Sequence, residues 1–136
     1  MTSLRIRSLA LAALLAAASF GATAADLKLT GDQEVPPNTS TAVGTGTITV
    51  AADGSVSGSV AAPGLAGTAA HIHAGAAGAN GPVVLPLTGS AGDTWTVPPG
   101  AKLTAEQLEA YKAGNLYVNI HTAEHKGGEL RAQLKP

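Results

Sequence analysis

The chain has 136 residues, no cysteine, a methionine only at position 1 and a formal net charge of −1. Because it lacks cysteine, the fold must close without disulfide bonds, and any metal ion must be held by nitrogen and oxygen ligands. The near-neutral charge argues against a nucleic-acid partner and against binding to an anionic membrane surface.

The N-terminal segment predicts export. Two arginines precede the apolar run Leu9–Phe20, and the small residues Ala22-Thr23-Ala24 follow it, as a signal peptidase requires. We expect residues 1–24 to be a secretory signal peptide, residues 25–136 to form one domain, and the protein to be periplasmic or secreted. The apolar run is too short for the roughly 20 residues that cross a bilayer, so no membrane span is expected after cleavage.

Short β-strands are predicted along the rest of the chain, because β-branched and small residues alternate between Gly, Pro and Asp breaks. Asp53-Gly54 predicts a hairpin turn, and Ala74–Gly81 predicts a flexible glycine-rich loop. The predicted strands are Asp26–Gly31, Ala42–Ala51, Ser55–Ala61, Thr68–Ala74, Pro82–Leu87, Gly92–Val97, Leu116–His121 and Glu129–Leu134.

One helix is predicted in a connection. Thr104 is a suitable N-cap, Leu108 and Tyr111 lie on one helical face, and Gly114 ends the segment. About seven or eight short strands with one short helix predict an all-β fold, an antiparallel β-sandwich.

Four histidines lie in two clusters. His71 and His73 are two apart on a predicted strand and therefore share a face, while His121 and His125 follow the next-to-last strand. If these segments are neighbours in one sheet or sandwich, four imidazoles converge. Imidazole nitrogens bind copper, zinc and nickel, so the sequence predicts a metal site, with copper favoured in an oxidising compartment and zinc as the alternative.

Strand alternation assigns the faces. Leu116, Val118 and Ile120 predict a core face, which places Tyr117, Asn119 and His121 together on the opposite, half-solvated face. Glu34, Asn119 and Glu124 are candidate outer-sphere partners of the ligand imidazoles. Glu129 and Arg131 on the last strand predict a surface ion pair of little energetic weight.

Four blocks of the sequence resemble the chordin-type (CHRD) domain. They are Leu29–Pro37, Ala70–Gly75 with Gly81–Val84, Gly114–Thr122, and Gly127–Leu134. The resemblance implies an exported β-sandwich of the immunoglobulin or superoxide-dismutase-like kind, as a bacterial single-domain member. The His-x-His strand is also similar to the copper-ligand strand of copper–zinc superoxide dismutases.

Three functions remain open at this point. The leading hypothesis is an exported metal-binding module that uses His71, His73, His121 and His125. The second is a structural or interaction domain with a protein partner in the periplasm and no metal. The third is a copper-dependent redox enzyme; a non-enzymatic role is favoured, because no nucleophile elbow or cysteine nucleophile is present.

Overall fold

A computed structural model describes residues 23–91 and 93–136 of the chain. The strands in these ranges are β1 (Thr23–Leu29), β2 (Gly44–Val50), β3 (Val56–Ala61), β4 (Gly67–Ala74), β5 (Val83–Pro86), β6 (Thr88–Ser90), β7 (Thr94–Thr96), β8 (Leu116–Thr122) and β9 (Leu130–Gln133). A 3-10 turn spans Gly31–Gln33, and the helix α1 spans Ala105–Lys112. Most of the predicted signal peptide, residues 1–22, lies outside the described residues.

The strands form two antiparallel sheets. Sheet A has the order β1-β2-β3-β7-β6, and sheet B has the order β5-β4-β8-β9. The predicted antiparallel β-sandwich is therefore confirmed. The one strand that the sequence did not predict is β6, which has three exposed residues and pairs with β7.

The core lies between the sheets and follows strand alternation. Sheet B contributes Ile72, Leu116, Val118 and Ile120, all at most 1% exposed, so the predicted core face of β8 is confirmed. The rest of the core includes Leu27, Leu29, Ile48, Val50, Val56, Val60, Trp95, Leu130 and Ala132. Burial of these aliphatic side chains, each worth about 1.5–3 kcal/mol, is the main force that holds the two sheets together.

The predicted turns and cap are present. Gly54 has φ +89° in the β2–β3 hairpin, a conformation that glycine adopts without strain. The Thr104 hydroxyl accepts from the Gln107 N–H at 3.2 Å, and the Gln107 side chain accepts from the Thr104 N–H at 2.9 Å, so α1 begins with a capping box. None of the helices within the described ranges is both long and apolar enough to cross a membrane.

The outer face of sheet B differs from the prediction. It was expected to be half-solvated, yet Tyr117 and Asn119 are 2% and 1% exposed. Arg131 lies over the Tyr117 ring at 3.5 Å from its centroid and donates to the carbonyls of Ala76 and Ala79 at 3.0 and 2.8 Å. These contacts hold loop 75–81 above the sheet. The loop therefore covers the polar side chains of this face.

The predicted surface ion pair between Glu129 and Arg131 is wrong, because both side chains are buried and each has other partners. Glu129 accepts from the hydroxyls of Thr122 and Ser40, both at 2.7 Å. Although burial opposes it, these hydrogen bonds lower the pKa of Glu129. The carboxylate therefore ties the end of β8 to the segment before β2.

Candidate metal centre

Pairing of β4 with β8 brings two of the predicted histidine segments together. In the register of this ladder, His71 lies opposite Asn119, His73 opposite Tyr117, and Ala69 opposite His121. Residues opposite each other in an antiparallel pair point to the same face of the sheet. His71, His73 and His121 therefore all project from the outer face of sheet B, from its two central strands.

The three imidazoles form a compact group. Nδ1 of His71 lies 3.0 Å from Nε2 of His121, and one ligand nitrogen from each of the three residues lies within 4.8 Å of the others. Metal–imidazole bonds are about 2.0–2.1 Å long, so two nitrogens on one ion lie about 2.9–3.4 Å apart at angles of 90–109°. The His71–His121 spacing lies within this range, and the third nitrogen, from His73, lies within 4.8 Å of both.

Backbone carbonyls orient two of the rings. Nδ1 of His73 donates to the Gly81 carbonyl at 3.0 Å, and Nδ1 of His121 donates to the Lys126 carbonyl at 2.8 Å. A neutral imidazole that donates through Nδ1 carries its lone pair on Nε2. Within the described residues, Nε2 of His73 is therefore free to act as a ligand, whereas Nε2 of His121 accepts a hydrogen bond from Nδ1 of His71, which a bound ion would replace.

The charge state of the group suits a cation. Burial lowers the pKa of His71, and positive charge on His121 or His73 would lower it further. Burial also lowers the pKa of His73, against the opposing effects of the Gly81 carbonyl and the Asn119 side chain. Both imidazoles are therefore neutral at pH 7, as metal ligands must be.

Nε2 of His73 is the most informative atom of the group. His73 is 8% exposed, and its Nε2 is buried without a hydrogen-bond partner in residues 23–91 and 93–136. Leaving a buried polar atom unpaired costs about 1–3 kcal/mol, so this nitrogen requires an explanation, and a bound ion or water would supply one. The His73 ring is also stacked on Tyr117 with a centroid separation of 4.8 Å, which leaves this nitrogen directed across the outer face.

The fourth predicted ligand, His125, is not part of this group. It lies in the turn between β8 and β9 and lines a cavity of about 510 Å³ together with Glu124 and Glu34. Glu124 is exposed. His125 therefore lies outside the group of three imidazoles, although it is only four residues from His121.

Two predicted outer-sphere residues are buried beside the group. Asn119 is 1% exposed and Glu34 is 4% exposed. A Cβ atom at Gly128 would collide with both Glu34 Oε1 and Asn119 Nδ2, so these two atoms lie close together. Burial raises the pKa of Glu34, and the Asn119 amide is the strongest of the groups that counteract this rise.

Sequence reasoning missed three contributors to the site. Gly81 and Lys126 act through backbone carbonyls, which no side-chain pattern reveals. Arg131 holds loop 75–81, which carries Gly81, and nothing in the strand alternation distinguishes it from a surface residue. Tyr117 was placed by alternation on the same face as Asn119 and His121, but the stacking of its ring on His73 could not be predicted.

The fold and the histidine group together define a β-sandwich domain with three imidazoles that could hold a metal ion. The family model of the CHRD domain matches residues 26–134. The chain therefore belongs to the CHRD-domain family, which suggests an extracellular domain. No curated protein and no solved structure matches the chain.

Proposed function

We propose that this protein is an exported metal-binding module whose ion is held by His71, His73 and His121. The observation that carries the proposal is the convergence of three imidazoles, one of which has a buried and unpartnered Nε2. Two central strands of sheet B supply the ligands, and two backbone carbonyls fix their rings. His125, the fourth residue of the predicted site, is assigned no role in holding this ion.

Copper is the proposed ion, with zinc as the alternative. The group consists of imidazoles without a thiolate or carboxylate, and imidazole suits both metals. Copper(II) binds a given nitrogen site more tightly than zinc and is the stable copper ion in an oxidising compartment. A cleaved N-terminal signal and a periplasmic or secreted location are part of the same proposal, supported by the apolar run Leu9–Phe20 and by membership of the CHRD family.

Calorimetric titration of residues 25–136 with copper(II) and with zinc tests the proposal. We expect one ion per chain for the wild type, and a loss of affinity of at least tenfold for His71→Ala, His73→Ala and His121→Ala separately. His125→Ala is the matched control, because it removes an imidazole from the neighbouring turn, and its affinity is expected to match the wild type.

Three results would contradict this function or its ligand set. Stoichiometric binding that survives all three substitutions would place the ion elsewhere. A wild-type chain that binds neither ion would leave the imidazole group as a structural feature of an interaction domain. A loss of binding in His125→Ala equal to that in His121→Ala would restore the four-histidine site that the sequence predicted.

A further inference from the structure

Asn119 lies at the centre of the histidine group. It is directly opposite His71 on β4, two residues before His121 on β8, and diagonal to His73 across the ladder. All four side chains project from the same face of sheet B. A short side chain in this position lies beneath the space on which the three rings converge.

The amide of Asn119 has a defined orientation. Its Nδ2 donates to the Gly127 carbonyl at 3.4 Å and lies beside Oε1 of the buried Glu34 carboxyl group. Both neighbours are hydrogen-bond acceptors, so the NH2 end of the amide must face them. The carbonyl end, Oδ1, therefore faces away from Glu34 and from the turn.

Oδ1 of Asn119 and Nε2 of His73 are two of four buried side-chain polar atoms without a hydrogen-bond partner in the described residues, and the others are Oε1 of Glu34 and Nε1 of Trp95. The first two are lone-pair atoms that no donor reaches in the part of the chain that the structure describes. The side chain of Asn119 also acts on His73, whose positive form it favours. Two neighbouring lone-pair atoms that both lack a donor repel each other in an apolar setting, and a cation between them removes that repulsion.

We propose that Oδ1 of Asn119 is the fourth ligand of the metal site, and that Glu34 holds the amide with this oxygen turned toward the ion. The inference rests on the proposed function and deepens it, because it changes a three-nitrogen group into a set of three nitrogens and one oxygen. An amide oxygen is a hard and neutral ligand. It stabilises copper(II) in preference to copper(I).

Zinc titration of 13C,15N-labelled protein followed by NMR tests the assignment directly, since zinc is diamagnetic. On addition of one equivalent we expect the side-chain Cγ resonance of Asn119 to move downfield and the Nε2 resonances of His73 and His121 to move upfield. Asn115, an exposed asparagine just before β8, is the internal control, and its Cγ resonance should not move.

Variants provide a second readout. Asn119→Ala should weaken copper(II) binding on the order of tenfold and raise the copper reduction potential, because the oxygen that favours copper(II) is lost. The double variant Glu34→Gln with Asn119→Asp reverses the donor and acceptor of the pair and keeps an oxygen toward the ion. It should recover the affinity that Asn119→Ala loses, and it replaces Asn119→Ala as the decisive variant if the latter does not fold.

The outcomes separate this inference from the function on which it rests. If His73 and His121 respond to zinc while the Asn119 Cγ resonance stays in place, the metal site stands and Asn119 is not a ligand. An affinity and potential unchanged in Asn119→Ala would overturn the inference in the same way. If no histidine resonance responds and no ion binds, the metal site itself fails.

Discussion

Replacing Arg131 with methionine would test how the outer face of sheet B is held together. The Arg131 guanidinium is 1% exposed, donates to the Ala76 and Ala79 carbonyls, and stacks on Tyr117. Each hydrogen bond from a charged donor contributes about 1.5–3 kcal/mol, and a desolvated cation–π contact about 2 kcal/mol. Relief of the cost of burying the charge offsets several kcal/mol of this sum. We therefore expect Arg131→Met to lower the free energy of unfolding by about 2–4 kcal/mol.

Urea denaturation of residues 25–136 measures this change, and amide hydrogen exchange shows where it acts. Exchange should accelerate in loop 75–81, and metal affinity should fall about tenfold because Gly81 no longer fixes the His73 ring. Lys112→Met is the matched control. It removes the same positive charge from a side chain that is 55% exposed and forms an i,i+3 ion pair with Glu109 on α1. It should change the free energy of unfolding by less than about 0.5 kcal/mol. If Arg131→Met lowers the free energy of unfolding by less than about 1 kcal/mol and leaves exchange in loop 75–81 unchanged, Arg131 does not hold this loop above the sheet.

Two other perturbations give expected outcomes. Folding lowers the pKa of His71 and His73 below 6.5. The unfolded chain therefore binds more protons than the folded chain below that pH. As a result, the stability of the metal-free domain should fall as the pH drops from about 6.5. The profile should be flatter in the double variant His71→Gln/His73→Gln, and equal slopes in denaturation experiments would contradict the burial of these rings. Gly81→Ala puts a Cβ atom against the Ala74 carbonyl, so it should displace the Gly81 carbonyl and weaken zinc binding in calorimetry. Unchanged affinity would show that this carbonyl does not position His73.

The sequence predicted the faces of the strands correctly because alternation is a local property. Leu116, Val118 and Ile120 share a face in any β-strand, and three aliphatic residues in register can only be placed in the core. The same parity places His121 beside the His71–His73 pair once β4 and β8 are neighbours. The helix was equally local, since Thr104 and Gln107 form its capping box without help from the rest of the fold.

What alternation cannot predict is whether a face remains open. Tyr117 and Asn119 are on the expected side of β8, but loop 75–81 and Arg131 cover that side, and both come from other parts of the chain. For a related reason, alternation does not predict where the His125 side chain lies relative to the other three imidazoles. β8 ends at Thr122, so the two-residue period no longer determines where the following side chains point.

The ligands of the proposed site come from β4 and β8, and each of these strands is hydrogen-bonded to a neighbour on both of its sides. The backbone beneath the imidazoles is consequently among the least deformable parts of the domain. An ion can arrive or depart with little more than ring rotation, whereas a zinc finger must fold and unfold around its metal. Such a scaffold is suited to reversible exchange of an ion, because the backbone that carries the three imidazoles does not depend on the ion for its shape.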